Sequence, residues 1–480
     1  MEHVAHASQS SAIEGRSIDY VPKHERSAKL RHQGPFWFVG NFHFLTVSIG
    51  FVGPAMGLSA GWTTLAGALG IMFGTVFMAF HGSQGPEMGL PQMIQSRAQF
   101  GYRGVVLALV AALFVFFGIN VVNVALIVEG MRNILGFDSK SVGLVAIAVG
   151  ALLAIYGHDA MHRAFKWSLY ATLPVYVIVT LLTITHAGGA AAGTPMTRLG
   201  FNWVAFLTQF AVSASYNIGY APYVSDYTRY LPADTRRKPL IAAVFVGASL
   251  SGAWMIALGA VLAQSLSATN VLAAIYGLGN AAMPGVGALL VAVAVVGFLP
   301  IIALNTYSAT LTVLTGVDSL QSLTPSRRAR VTTIVAISAL LGVCVLLLKG
   351  SGLNLLNLFL TTLLYFLVPW TAVNLVDYFF VRKGHYVIPH FFRPDGIYGT
   401  WQATGIAAYL IGFVAMIPFF SIFDPSTGKA VFVGFVAQRL HEIDIAWLVG
   451  LIVSGSVYYR AARKLDLNAE RALIRAQDAY

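Results

Sequence analysis

Two side chains in the third long apolar stretch could together recognise a flat ring with polar edges. Phe116 and Asn120 stand four residues apart, so a helix places them on one face, and Asn123 follows a turn later. An aromatic face offers a stacking surface, while a carboxamide offers both donors and an acceptor. Because amides inside a membrane are costly unless paired, hydrogen bonding between helices is the alternative. We favour that alternative for Asn123 and ligand contact for Asn120.

Further candidate residues flank two clusters of glycine and proline inside apolar stretches, SIGFVGPAMGLSAG at 48–61 and SYNIGYAPYVSD at 215–226. The candidates from these clusters and from the eighth apolar stretch are Phe51, Gly53, Tyr216, Gly219, Tyr220 and Asn305. Taken singly, an aromatic residue is more often core than site, and Asn305 is as compatible with helix packing as with binding. Their value lies in their position beside the two interruptions.

Nothing else in the sequence points to catalysis or to a cofactor. We find no P-loop, dinucleotide fingerprint, nucleophile elbow or HExxH motif. His158 and His162 have a spacing that can bind zinc, but no third ligand is apparent, so no metal is expected. The single cysteine, Cys344, lies in an apolar run and implies no disulfide. We therefore expect neither an enzyme nor a cofactor.

The elements that must position these residues are membrane helices. The chain of 480 residues is 57% hydrophobic and only 10% charged, whereas about a quarter of the residues of a soluble domain are charged. Apolar stretches long enough to span a bilayer recur along it. The spans are predicted near 36–60, 62–82, 105–131, 141–157, 166–187, 203–224, 240–265, 287–313, 330–349, 355–380, 403–422 and 443–460. The predicted fold class is an all-α polytopic membrane protein with twelve transmembrane helices.

The distribution of the basic residues indicates how the chain is oriented in the membrane. The net charge is +11, and most of the 30 Lys and Arg residues fall in segments on the same side as the N-terminus. Because loops rich in Lys and Arg stay in the cytoplasm, this distribution predicts a multi-pass protein of the cytoplasmic membrane with both termini inside. The positive charge therefore indicates a lipid bilayer around the chain and no nucleic-acid partner.

The two glycine and proline clusters predict an internal symmetry. A lone cluster is better explained by helix packing or a kink. Gly50 and Gly219, however, lie in spans one and six, which cross the membrane in opposite senses because five spans separate their starts. Interruptions at matching positions of two inverted halves indicate the binding site of a secondary transporter, where free backbone groups meet a solute or ion.

This symmetry divides the chain into five parts. They are an N-terminal tail (1–35), a first repeat (36–187), a second repeat (203–380), two further spans (403–460) and a C-terminal tail (461–480). Both tails are expected in the cytoplasm. The C-terminal tail is predicted to form an amphipathic helix that lies on the membrane surface or packs on the protein.

Four stretches of the chain form distinctive motifs: GPAMGLS (53–59), QGPEMGLPQMIQSRAQFGYRG (84–104), APYVSDYTRYLP (221–232) and VPWTAVNLVDYFFVRKGHY (368–386). In these motifs the sequence resembles the nucleobase–cation symporter-1 family, in its purine–cytosine permease branch. The resemblance implies a LeuT-type five-plus-five inverted repeat with two extra C-terminal helices, and alternating access. It also implies that Phe116 and Asn120 contact the substrate, that Tyr220 after Gly219 stacks on its ring, and that the backbone near Gly53 lines the same pocket.

Two departures from the family pattern affect the expected substrate and ion. Asn305 begins an Asn-x-Tyr-Ser element that the family shares, but the upstream positions, where relatives often carry asparagines, are Ile301 and Ile302. A substrate with fewer hydrogen bonds than cytosine is therefore an alternative. Sodium-coupled relatives have adjacent hydroxyls in the outer half of this span, and LLVAVAVVGFLP (289–300) has none. We expect symport of a nucleobase-like compound with a proton rather than sodium. A transporter of another heterocycle or an amine, or a channel, is the alternative.

Overall fold

The computed structural model describes residues 14–136, 138–190, 200–347, 352–424 and 429–478, and twelve helical units correspond to the twelve predicted spans. In chain order, spans 1 to 12 are Gln33–Asn41 with Phe44–Ile49 and Val52–Ala55; Ala60–Gly82; Val106–Leu135; Lys140–Tyr156; His158–Ala190; Trp203–Ile218 with Val224–Thr228; Arg237–Leu266; Val286–Leu320; Arg327–Leu347; Gly352–Val376 with a π-helical turn at Asp377–Val381; Ala403–Met416 with Ile417–Phe419; and Ala446–Ala462. Seven helices are long and apolar enough to cross a membrane, and the bent span 1 makes an eighth. Spans 4, 6, 11 and 12 are shorter or interrupted.

Several short elements lie outside the prediction, and two of them join or follow predicted spans. A short helix, Val271–Ala282, joins spans 7 and 8 and is capped by the Asn270 side chain, which accepts from the Ala273 amide at 3.0 Å. Strands Ser421–Asp424 and Lys429–Val433 form an antiparallel hairpin. The predicted end of span 11 at residue 422 is therefore wrong, and the fold is helical with one small hairpin. Both elements are too short to stand out in a pattern of long apolar stretches.

Span 1 is interrupted, but its main bend lies earlier than the glycine and proline cluster predicts. The segments Leu30–Asn41 and Phe44–Ala55 meet at an angle of 53°. His43, at the junction, has extended backbone, so the helix stops before it and restarts after it. A second interruption follows at Gly50, where the sequence places it.

Glycine residues at this second interruption allow spans 1 and 7 to touch backbone to backbone. A methyl group on Gly50 would overlap the carbonyl oxygen of Ile256, and one on Gly259 would overlap the carbonyl oxygen of Val47. Small residues let helices approach this closely, and the resulting van der Waals contact stabilises pairs of membrane helices. The packing interpretation therefore applies to Gly50.

The backbone groups released near Gly53 bind a protein side chain. The amide of Gly53 donates to Oε1 of Gln209 at 2.9 Å, and Nε2 of Gln209 donates to the carbonyl of Ile49 at 3.2 Å. Gln209 belongs to span 6, so one carboxamide replaces the missing helical partners on both sides of the interruption. These groups are not free for a solute, contrary to the expectation from the sequence.

The interruption of span 6 lies where the sequence predicts it. The first helix ends at Ile218, residues 219–223 form turns, and the second helix runs over Val224–Thr228. Proline at 222 removes a backbone donor, and glycine at 219 packs without a side chain beside the carbonyl of Tyr216. The turn therefore places residues of span 6 at the centre of the helical bundle.

The long polar connection between spans 2 and 3 folds into three short buried helices, Gln84–Met88, Gln92–Gln95 and Arg97–Phe100. The guanidinium of Arg97 donates to the carboxylate of Asp318 at 2.8 Å and to the carbonyl of Phe391 at 2.9 Å. Gly89 and Gly101 end two of these helices with φ of 63° and 86°, which glycine tolerates best. This motif thus fastens the connection to the end of span 8 and to the segment after span 10.

The C-terminal tail forms the helix Leu467–Asp478 and packs on the protein. Glu470 accepts hydrogen bonds from Arg382 at 3.0 Å and from Tyr398 at 2.8 Å, and it is 7% exposed. Arg382 also pairs with Asp377 at 2.5 Å. The tail is therefore a packing element joined to the end of span 10.

Replacing Gly259 with alanine should lower the thermal stability of the purified protein. The added methyl group would force spans 1 and 7 apart at a backbone contact, and overpacking of this kind costs about 1–3 kcal/mol. Gly277→Ala is the matched control, since a methyl group on this helical glycine meets nothing within 4 Å. The measurement is the unfolding midpoint in detergent. Equal midpoints for the two variants would contradict the close contact.

Candidate functional site

A cavity lies where the interrupted spans 1 and 6 meet spans 3, 8 and 10. The residues that line it are Leu45, Val115, Ile119, Tyr216, Gly219, Tyr220, Tyr223, Ile301, Asn305, Leu360 and Leu363. It is so narrow that only about one water molecule fits. A ring-shaped solute therefore enters only if the lining side chains move apart.

The bend of span 1 exposes a carbonyl group that side chains from span 6 satisfy. Because the helix stops at Asn41, the carbonyl of Gly40 has no partner one turn on. It accepts instead from Nε2 of His43 at 2.8 Å and from the hydroxyl of Tyr220. The hydroxyl of Tyr216 lies 3.2 Å from the same imidazole nitrogen and 3.1 Å from the hydroxyl of Tyr220. This polar cluster joins the two interrupted spans beside the cavity.

A pair of asparagines, one from each interrupted span, forms a second hydrogen-bonded link between spans 1 and 6. Nδ2 of Asn41 donates to Oδ1 of Asn217 at 2.9 Å and to the carbonyl of Ala248 in span 7 at 2.8 Å. Asn217 in turn donates to Thr75 of span 2 at 2.6 Å. Each amide bonds across a helix interface, so this arrangement fixes the ends of the two interruptions relative to spans 2 and 7.

Asn305 presents an acceptor at the wall of the cavity. Its Nδ2 donates to the carbonyl of Ile301 at 2.9 Å, which fixes which end of the carboxamide is oxygen. Within the part of the chain that the structure describes, the buried Oδ1 atom has no hydrogen-bond partner. A buried acceptor without a partner is costly, and a donor on a bound ring would relieve that cost.

Aromatic rings form the rest of the polar-edged wall. Along span 6, the ring centroids of Tyr216 and Tyr220 are 5.7 Å apart, and those of Tyr220 and Tyr223 are 5.3 Å apart. Phe116 of span 3 lies edge-on to Tyr223 at 4.9 Å. Phe116 is buried behind the tyrosine that lines the cavity, so it supports the wall rather than forming it.

The structure brings together four of the eight predicted site residues at the cavity: Tyr216, Gly219, Tyr220 and Asn305. Asn120 lies outside the lining, where its Nδ2 donates to the carbonyl of Ile302 at 3.2 Å and to Thr306 at 3.1 Å. Its oxygen accepts from Asn123 at 3.2 Å. These bonds hold spans 3 and 8 together. A role for Asn120 in substrate contact stays a prediction, and it requires Asn120 to give up some of these hydrogen bonds for bonds to the substrate.

The remaining predicted residues of span 1 lie away from the cavity. Phe51 is buried at the start of Val52–Ala55, and Gly53 packs against Thr63 of span 2 and bonds to Gln209. The two residues therefore stand among the contacts that fix the second interruption. Their contribution to substrate binding stays a prediction.

Sequence reasoning missed His43 and Tyr223. His43 lies in the first apolar run, NFHFLTVSIG, and an ionisable side chain within a span is a functional candidate by default. The sequence therefore carries a signal for His43, a few residues before the glycine and proline cluster. Tyr223 follows Pro222 in the interruption of span 6, but only the turn over 219–223 places its ring at the cavity.

The two histidines with zinc-like spacing serve other contacts. The rings of His158 and His162 lie 4.3 Å apart, and Nδ1 of His158 is 3.0 Å from Asp159. Across the described ranges, no group of three or more His, Cys, Asp or Glu side chains is placed to hold a metal ion. His162 stacks on Phe36, so it packs span 5 against span 1.

Comparison with known proteins places the chain among permeases. Residues 20–450 match the sequence profile of the family described as permeases for cytosine/purines, uracil, thiamine and allantoin. YxlA of Bacillus subtilis strain 168, provisionally named a purine-cytosine permease, is 31% identical over 452 residues, which cover 93% of this chain and 95% of that protein. The chain belongs to the purine–cytosine permease branch of the nucleobase–cation symporter-1 family. It is therefore a multi-pass membrane transporter and not an enzyme.

Two further similarities bear on fold and substrate range. The solved structure of Mhp1, a nucleobase-cation-symport-1 family transporter in a closed conformation with bromovinylhydantoin bound, aligns with a TM-score of 0.71 at 17% identity, covering 94% of this chain and 96% of Mhp1. The permease therefore shares the fold of Mhp1. The vitamin B6 transporter TPN1 of Saccharomyces cerevisiae is 25% identical over 268 residues, 52% of this chain and 45% of TPN1.

Replacing Asn305 with leucine should raise the KM for substrate uptake about tenfold or more, with normal amounts of protein in the membrane. Loss of a hydrogen bond to a substrate costs about 1–3 kcal/mol, and 1.4 kcal/mol corresponds to tenfold. Asn123→Leu is the matched control, because it also removes a buried amide but lies outside the cavity lining. Initial-rate uptake measures both. An unchanged KM for Asn305→Leu would remove this acceptor from the site.

Proposed function

We propose that this permease is a secondary active transporter that imports a nucleobase or a related planar nitrogenous heterocycle together with a cation, by alternating access. The observation that carries the proposal is the position of the cavity. It lies between the two interrupted spans, has tyrosine rings on one side, and has the unpartnered oxygen of Asn305 on another. An aromatic face and a buried acceptor suit a flat ring that bears an N–H donor.

The proposed substrate contacts are shared among four residues. The rings of Tyr216 and Tyr220 stack on the substrate, and Gly219 lets the backbone of span 6 approach it without a side chain. Asn305 accepts a hydrogen bond from its edge. Because Tyr216 and Tyr220 also bond to the bend of span 1, movement of their rings to admit the substrate is transmitted to that bend.

We place the transporter in the cytoplasmic membrane with both termini inside the cell. The segments at the N-terminal side carry most of the Lys and Arg residues, as in proteins that obey the positive-inside rule. The even number of spans returns the C-terminus to the same side. Import then means movement of the substrate toward the side on which residues 14–32 lie.

We propose a proton rather than sodium as the coupling ion. Sodium prefers oxygen ligands, and the outer half of span 8, residues 289–300, offers no hydroxyl group. In that half Phe298 packs against the imidazole of His43, with ring centroids 4.8 Å apart. At this place span 8 therefore offers the bend of span 1 an aromatic ring rather than an oxygen ligand.

One observation favours a second candidate substrate class. Ile301 lines the cavity at a position where purine–cytosine relatives often have a polar side chain, so hydrogen bonding to the substrate is reduced. A vitamin B6 transporter is among the similar proteins. A heterocycle other than a nucleobase is therefore the alternative. A channel is less consistent with a cavity that admits about one water molecule.

Uptake into proteoliposomes separates these possibilities. With an inward proton gradient and no sodium, we expect saturable accumulation of labelled hypoxanthine or cytosine that a protonophore abolishes. Recovery of uptake only with sodium would overturn the choice of ion. Absence of uptake for both nucleobases, together with uptake of labelled pyridoxine, would favour the second substrate class. Uptake without saturation would indicate a channel.

A further inference from the structure

A buried carboxyl group follows the cavity-lining turn of span 6 and forms no ion pair with a basic side chain. Asp226 belongs to Val224–Thr228, three residues after Tyr223, and is 2% exposed. Its Oδ1 atom accepts from the backbone amide of Gln92 at 2.9 Å, and the hydroxyl of Ser308 in span 8 is its second partner. Among the residues that the structure describes, no Lys, Arg or His nitrogen lies within 4.0 Å of this carboxylate.

The acids of the bundle that pair with arginine have a different environment. Asp318 pairs with Arg97 at 2.8 Å, Asp377 with Arg382 at 2.5 Å, and Glu14 with Arg330 at 3.1 Å. Those carboxylates are ionised at little cost because a guanidinium compensates their charge. Burying an ionised carboxylate without such a partner is energetically unfavourable, and protonation removes the unfavourable charge.

The nearest arginine points away from Asp226. Arg229 follows one helical turn later, at a spacing that would allow an ion pair, but its guanidinium contacts only the backbone carbonyl of Asp226, at 3.3 Å. Nη1 donates instead to the carbonyl of Ser17 at 2.9 Å and to that of Asp19 at 3.3 Å. The residue therefore ties span 6 to the N-terminal segment 14–26, which we call the strap.

The strap closes the N-terminal side of the bundle at several points. Glu14 accepts from Tyr307 of span 8 at 2.9 Å and from Arg330 of span 9 at 3.1 Å. The amide of Val21 donates to the carbonyl of Gly89 at 3.0 Å, within the connection between spans 2 and 3. The strap thus links elements that must separate for a substrate to leave on this side, and Arg229 holds its middle.

We propose that Asp226 is the proton-binding residue of transport, and that its ionisation releases the strap by drawing Arg229 to its own carboxylate. The inference rests on the proton symport proposed above, and it identifies the residue that binds the proton. A proton enters on Asp226 with the substrate while the strap is closed. The proton then leaves to water on the cytoplasmic side. The ionised carboxylate of Asp226 pairs with the guanidinium of Arg229, which gives up its hydrogen bonds to the carbonyls of Ser17 and Asp19.

The groups around Asp226 are compatible with this exchange. On its own span, Tyr223 and Tyr227 have neutral hydroxyls, and Arg229 is the single neighbouring cation in its helix. The helices packed against it contribute His81, whose ring stacks on Trp370. They also contribute Glu87, which pairs with Arg237.

From span 8 comes the Ser308 hydroxyl, and Tyr307 beside it bonds to Glu14 and Arg229. Arg229 is the nearest positive charge, but in the closed arrangement its guanidinium makes no hydrogen bond to the carboxylate of Asp226. The guanidinium of Arg229 can reach the carboxylate only by giving up its contacts with the strap.

The test is Asp226→Asn in proteoliposomes with labelled hypoxanthine, or with cytosine or pyridoxine if the wild-type protein transports that compound instead. We expect accumulation driven by an inward proton gradient to fall at least tenfold, while exchange of labelled for unlabelled substrate across the membrane, at equal pH, stays within about threefold of wild type. Asp159→Asn is the matched control, since this aspartate is exposed, and it should retain both activities.

The outcomes separate the inference from the function on which it rests. Full proton-driven accumulation by Asp226→Asn would overturn the inference and leave the symport intact, and loss of accumulation in His43→Gln alone would move the proton site to His43. Absence of proton-driven accumulation in the wild-type protein would overturn the proton symport and this inference together.

Three further variants keep the test decisive if Asp226→Asn does not reach the membrane. Asp226→Glu retains a titratable carboxyl and should keep proton-driven accumulation. Ser308→Ala removes a hydroxyl that stabilises the ionised carboxyl, so release of the proton becomes harder and the pH profile of uptake should move to higher pH. An unmoved profile together with full accumulation by an Asp226→Ala variant would overturn the inference.

Discussion

The structure depends on satisfying backbone groups at two helix interruptions in a place without bulk water. A bilayer offers no hydrogen bonds, so an interrupted span persists only if protein side chains replace the lost partners. Here His43 and Tyr220 serve the carbonyl of Gly40, and Gln209 serves both sides of the interruption near Gly53. Because each replacement comes from another span or from the bend itself, the interruptions hold each other in place.

This mutual support explains why the cavity lies where it does. The same tyrosines that satisfy span 1 form one wall of the cavity, so recognition of a substrate and the geometry of the bend share atoms. Binding that moves those rings must change the bonds at the bend. Glycines such as Gly50 and Gly259 bring spans 1 and 7 into backbone contact at the second interruption of span 1.

Charge is distributed differently from amide and hydroxyl groups. Around the cavity, the polar contacts are neutral, whereas the N-terminal side is held by buried ion pairs, such as Arg97 with Asp318 and Arg330 with Glu14. A buried pair that loses one partner is strongly destabilising, so these pairs hold their elements firmly in one arrangement. Asp226 stands between the two regions. It is an acid, as at the N-terminal side, but it forms no ion pair, as around the cavity. A single proton there therefore has more effect on the balance between arrangements than one at a paired site.

Local properties of the sequence determined the helical membrane fold, the twelve spans and the interruption of span 6, because apolar length, Gly219 and Pro222 act within a few residues. The motifs likewise identified the family before any comparison. Tertiary structure alone decided which polar groups meet. Asn41 finds Asn217 and Asn120 finds Thr306 across 176 and 186 residues, while Arg229 turns from Asp226 to Ser17, 212 residues away. It also placed the main bend of span 1 at His43, since the partners that stabilise a bend there come from span 6. Spacing along a helix shows which side chains share a face, but hydrogen bonds go to whichever partner the packing brings close.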